Sequence, residues 1–141
     1  MGAQFSDPKE FREVMDRVFT LMSEDPDMGP KLRDADVPQR FEFEDLDMVV
    51  NIRAAEPDEE GCLFWQWNDD IDWKPKVKMS MSSETANKYF QGKENVPIAI
   101  ARRRIKTSGD VKAALALIPI TKPVYPQYRE VVKTDYPHLE V

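Results

Sequence analysis

Histidine, cysteine and glycine are scarce in this chain: one, one and five among 141 residues. A lone Cys62 excludes an internal disulfide and gives no sign of a secreted, stapled fold. Cys62 and His138 are far apart in sequence, so a zinc site of His and Cys ligands has no material to be built from. No metal or cofactor is expected. His138 sits near the C-terminus, a poor place for the base of a Ser-His-Asp or Cys-His relay, and so few glycines leave no phosphate-cradling loop. No apolar run approaches the roughly 20 residues of a membrane span, and the start of the chain shows no signal-peptide core. Positive charge is also short: 20 Lys and Arg stand against 26 Asp and Glu, a formal net charge of −6. That balance weighs against nucleic acid as a partner, which needs a basic footprint. It also weighs against general adsorption to anionic membranes, and no stable membrane insertion is expected.

Some short motifs are present. The opening MGAQFS fits the M-G-x-x-x-[ST] pattern for myristoylation of Gly2, but no basic cluster follows to supply a second anchor. The acidic NDDIDW, residues 68–73, fails the calcium-loop template, because the sixth position is Trp73 and the twelfth Met79. Arg102, Arg103 and Arg104 form the one dense basic patch. It reads either as an anion contact or as a charged sheet face that discourages edge pairing. Trp65, Trp67 and Trp73 cluster about one loop, and Trp65 is either core packing or a pocket wall.

Hydrophobic spacing organises the chain. Phe11, Val14, Met15, Val18, Phe19 and Met22 recur at helical intervals behind an Asp7–Pro8–Glu10 start. DMGPKLRDADV (27–37) reads as a helical turn or mobile loop. The period then changes to two. Phe41 and Phe43 share a face, as do Met48, Val50 and Ile52; Leu63, Trp65 and Trp67; and Val77, Met79 and Met81. Four such strands imply a largely antiparallel sheet with one solvated face. A helix capped at Ser82 or Ser83 and stopped by Gly92 follows, then a short helix over ENVPIAIA. Next come a strand in RRRIKTSGD with Ile105 inward, an apolar helix, and a proline-broken final helix. Strands then helices, with no repeat and no linker, predict one α+β domain over residues 1–141 with helices on the apolar sheet face.

The stretch SGDVKAALALIPI, residues 108–120, is apolar nearly all round. An ordinary surface helix keeps a polar face, so this one needs an apolar neighbour on two sides. Phe41, Phe43, Met79 and Met81 beneath it make either a packed core or an enclosed cavity. Composition alone does not separate the two, although methionine suits irregular spaces.

The run from Val77 to Tyr128 resembles the sterol carrier protein 2 family of lipid-binding domains. The resemblance rests on element order: strand Val77–Met81, capped helix ending at Gly92–Lys93, short helix, strand ending at the Ser108-Gly109-Asp110 turn, and apolar helix Val111–Ile118. It implies a five-stranded, mostly antiparallel sheet with helices on one face enclosing an apolar tunnel. It also implies non-enzymatic binding, and transfer, of fatty acids, acyl-CoA, sterol-like or isoprenoid molecules. The residues expected to line the tunnel are Phe43, Val50, Trp65, Met79, Phe90, Ile100, Leu115, Ile118, Tyr125 and Tyr128. Tyr125 and Tyr128 would close its mouth, and Arg103 and Trp65 would meet a head group. The alternative is an accessory or dimerisation module presenting an apolar substrate to a partner enzyme, so a second copy or an enzyme is the expected macromolecular partner. The RRRIK strand is more basic than in many members. An ending of HLEV, without the peroxisomal tripeptide, makes the cytoplasm the expected location.

Overall fold

The computed structural model describes residues 5–141, so the acylation pattern at Gly2 lies outside the described residues. The first helix, α1, spans Pro8–Glu24. Asp7 accepts the Glu10 N–H at 2.8 Å, while the Glu10 carboxylate accepts the Ser6 N–H at 2.9 Å, so a reciprocal cap fixes the start. The predicted stripe from Phe11 to Met22 is buried.

The chain then forms α2 (Met28–Ala35), where the sequence read as a mobile turn. Met28, Gly29 and Leu32 are buried. Gly29 hides this helix from pattern reading, because it packs by its bare backbone: a Cβ there would stand 2.7 Å from the Ser23 carbonyl.

Five strands follow: β1 (Gln39–Phe43), β2 (Met48–Ala54), β3 (Leu63–Gln66), β4 (Val77–Met81) and β5 (Lys106–Gly109). Their spatial order is β3-β2-β1-β4-β5. Three neighbouring pairs are antiparallel and one, β1 with β4, is parallel. β3 lies at one edge and β4 beside the central β1, so residues 67–76 must carry the chain back across the sheet. Trp67 still points to the helices, its indole N–H donating to Asp16 of α1, and from Asn68 on the chain runs over the opposite face. There Arg40 and Asn51, partners across β1 and β2, both hold Asp69. The Arg40 guanidinium donates to the two carboxylate oxygens at 2.9 and 2.8 Å, and the Asn51 amide donates at 3.0 Å. The acidic loop is therefore a strap tied to the outer sheet face. Nearby, Arg53 donates twice to Glu59, at 2.7 and 3.0 Å, while lying over the rings of Phe64 and Trp73.

The inner face carries Phe43, Val50, Ile52, Leu63, Met79 and Met81 under the helices. After β4 come α3 (Ser83–Phe90), capped by the Ser82 hydroxyl, and α4 (Val96–Ala101), capped by Asn95. α4 ends in a Schellman turn: the Arg103 N–H donates to Ile100 O at 3.1 Å and the Arg104 N–H to Ala99 O at 2.9 Å. Arg103 takes the left-handed conformation there, φ 60°, at a position where glycine is usual. The expected strand over 103–107 thus begins only at Lys106, and the three arginines lie on a helix-ending turn rather than on the sheet.

The apolar stretch divides into α5 (Val111–Ala116) and α6 (Ile118–Thr121). Pro119 lacks the N–H that would continue α5, and it suits the first turn of a new helix. The last helix, α7, spans Val124–Asp135 and leads to a short 3₁₀ turn at Pro137–Leu139.

The outer-face clasps set an acid limit. Hydrogen bonds from Arg40 and then Asn51 hold the Asp69 carboxyl at about 2, and Arg53 and then the Glu56 N–H hold Glu59 at about 2. Both values lie below those of the unfolded chain. The stabilisation is therefore present above about pH 4 and lost as pH falls toward about 2. The melting-temperature difference between the parent and Asp69→Asn is expected to be largest near neutral pH and to close over that window.

Candidate functional site

Sheet and helices do not meet everywhere. Between them lies a cavity of about 80 Å³. Its floor is the inner row of β1 (Gln39, Phe41, Phe43) with Ile52 and Ala54 of β2 and Met79 and Met81 of β4. From Gln39 to Phe43 it follows the strand for roughly 13 Å at the usual rise. Phe19 and Met22 of α1 and Leu32 of α2 form one wall; Ala86, Tyr89 and Phe90 of α3 with Val96 and Ile100 of α4 form another. The roof is the apolar stretch itself: Val111, Ala114 and Leu115 of α5, Leu117, and Ile118 and Thr121 of α6. This is where its second apolar side looks. Leu115, Ile118 and Ile120 are only half-buried, so the roof is thin.

Polar groups at the lining are few and uncharged or already paired. The Thr121 hydroxyl donates to Leu117 O at 2.9 Å. Burial pushes the Tyr89 phenol well above its ordinary value, with Tyr125 and Thr121 beside it, so it stays protonated. Arg53 touches the cavity edge, but its guanidinium is held by Glu59 on the other side of the sheet. His138 lies outside the cavity, its Nε2 2.8 Å from Glu10. Among the described residues there is no group of three or more His, Cys, Asp or Glu able to hold a metal ion.

Of the residues singled out from sequence, Phe43, Met79, Phe90, Ile100, Leu115 and Ile118 lie at the cavity wall. Val50, Trp65, Tyr125 and Tyr128 do not. Val50 is fully buried in the packed part of β2. Trp65 leans on Phe19, and its indole N–H joins that of Trp67 in donating to one oxygen of Asp16, at 3.0 and 2.6 Å. Tyr125 backs Tyr89 edge-on at 5.7 Å between ring centres. Tyr128 is no gate: its hydroxyl donates to Asn87 Oδ1 at 2.6 Å, and the Asn87 and Gln91 amides both donate to Leu139 O, at 2.9 and 2.7 Å. This buried network locks α7 and the C-terminal turn to α3.

Sequence reasoning missed Phe19, Met22, Leu32 and Tyr89 as wall residues. The first two were visible as part of the α1 stripe, but a stripe does not say which of its members face space and which face protein. Leu32 was hidden with its helix.

An α+β layer with an internal apolar cavity is the architecture of a binding domain. The chain belongs to the SCP-2 sterol transfer family, whose model matches residues 19–122. No curated protein sequence matches it. Its fold is similar to that of several solved structures. The ubiquinone synthesis protein UbiJ-SCP2 aligns with a TM-score of 0.60 at 10% identity, over 86% of this chain and 95% of that one. The sterol carrier protein domain 2 of Helicoverpa armigera gives 0.55 at 16% identity, over 89% and 95%. The stereoselective inverting sec-alkylsulfatase Pisa1 from Pseudomonas sp. gives 0.60 at 21% identity, over 75% of this chain. The match spans only 16% of the sulfatase.

Tyr128→Phe leaves Asn87 Oδ1 with the Gln91 amide alone, bonded at 2.9 Å. It is expected to cost about 1 kcal/mol in urea unfolding. Asn87→Leu, which removes the acceptor of the Tyr128 hydroxyl and one of the two amide donors to Leu139 O, is expected to cost more.

Proposed function

We propose that this protein binds an apolar lipid in the cavity between sheet and helices, without catalysing a reaction on it, and carries or presents that lipid. The observation behind this reading is the lining: aromatic, aliphatic and methionine side chains from every layer of the fold, with no free charge and no nucleophile–base pair among them. Membership of the SCP-2 sterol transfer family supports it. Each buried methylene of a lipid chain gains roughly 0.8 kcal/mol, so tight binding needs no specific polar contact, and several lipid classes are expected to bind.

At about 80 Å³ the space is roughly half that of an engineered apolar cavity that admits benzene. A long chain therefore enters only if the wall yields. The parts suited to yield are the short helices α5 and α6, which bury little beyond Ala114, Leu117 and Thr121, and the flexible side chains of Met22, Met79 and Met81. In this reading the roof lifts, the methionines rearrange, and the cavity lengthens along β1 into the expected tunnel.

A second reading is favoured by one observation: a fold like this one occurs as a minor part of the sec-alkylsulfatase chain. The domain would then hold an apolar substrate for an enzyme, or pair with a second copy.

The test is native mass spectrometry of freshly purified protein, followed by organic extraction and lipid analysis. A bound mass that extraction removes is the expected result. Protein that carries none, and takes up no fatty acid, acyl-CoA or sterol, would favour the presenting module. Leu115→Trp, placed in the roof, is expected to abolish binding of a fluorescent fatty acid while the circular dichroism spectrum is kept. Unchanged binding would remove the roof from the site.

A further inference from the structure

The net charge of −6 is unevenly spread. From Lys93 to Lys106 the chain holds five basic residues and one acid, a local charge of +4. Arg104 is paired with Glu94 at 2.8 Å and Lys106 with Glu44 at 3.5 Å. That first pair brings the two ends of the segment together. Lys93, Arg102 and Arg103 are exposed and form no ion pair among the described residues.

Three further features meet at this corner. Ile98, at 46% exposure, is the most exposed large apolar side chain among the described residues. It sits one helical turn before Arg102, whose N–H donates to Ile98 O, so the two share a face of α4. Ile100, two residues on, lines the cavity. Arg103 holds the left-handed position of the Schellman turn, where an L side chain is strained and glycine would be relaxed. A conformationally costly arginine is thus kept at an exposed, unpaired site.

We propose that the α4–β5 corner is a reversible docking surface for an anionic lipid bilayer. Arg102, Arg103 and Lys93 would meet lipid head groups, and Ile98 would enter the interface between them. Charge complementarity selects an anionic partner. The apolar tip, on the helix whose opposite face gives Ile100 to the cavity wall, selects a bilayer over RNA or DNA, to which an isoleucine beside the arginines offers nothing. The acidic remainder of the molecule would turn away from the same surface and so orient it. This docking does not depend on the cavity being filled.

The experiment is flotation of the full chain with vesicles of phosphatidylcholine alone and of phosphatidylcholine with phosphatidylserine. Binding is expected only to the second, and to weaken with added salt as the attraction is screened. Each basic residue at such a surface is worth about fivefold in affinity. Arg103→Gly is therefore expected to weaken vesicle binding about fivefold while raising the melting temperature, because the turn relaxes. Opposite signs in one variant separate docking from folding. Ile98→Asp is expected to weaken binding at least as much. Lys9→Glu, exposed on α1, serves as the control and retains binding. Equal flotation with both vesicle types, no flotation, or parental binding by Arg103→Gly would overturn the proposal. Loss in Arg103→Gly with none in Ile98→Asp would also overturn it, since the patch would then be a general polyanion site.

Discussion

The cavity exists because the chain crosses the sheet on the other side. Placing β4 parallel to β1 at the centre forces residues 68–76 over one face, and Asp69, held by Arg40 and Asn51, ties that crossing down. The inner face is left to the helices, and the roof over the cavity to the shortest of them. Helices of six and four residues, such as α5 and α6, bury too little to close tightly over two phenylalanines and two methionines. The space beneath them follows from topology as much as from side-chain choice.

The sheet and helix pattern was largely legible in the sequence, because periods of two and of about 3.6 report which face is apolar. Phe41 and Phe43, and Met79 and Met81, announced the inner face, and Asp7, Ser82 and Gly92 announced helix ends. Three things were not legible. Gly29 broke the pattern of α2 because it packs by backbone. Pro119 divided a single apolar run into two helices. Arg103 stood in for a turn glycine, so a helix end read as a strand. In each case a local rule gave way to a tertiary contact or a capping geometry that spacing does not encode.

The site was legible only by half for a related reason. Alternation identifies the residues that face inward, but not whether inward means space or protein. Phe43 and Val50 lie on the same side of adjacent strands, yet one borders the cavity and the other is packed solid. Tyr128 looked like an amphipathic gate and is instead the centre of a satisfied polar network, which fits the rule that buried hydroxyls find partners. The polar groups of the interior thus hold the helices together, while its apolar groups leave the room.

Phe19 has a place in both arrangements. It borders the cavity, and it contacts the rings of Trp65 and Trp67, whose indole N–H groups converge on Asp16. Any movement of Phe19 that admits a guest changes the surroundings of two tryptophans fixed to a carboxylate. On the proposed reading the protein would carry its own optical reporter: the colour and intensity of its ultraviolet emission would follow how full the cavity is, with no label attached.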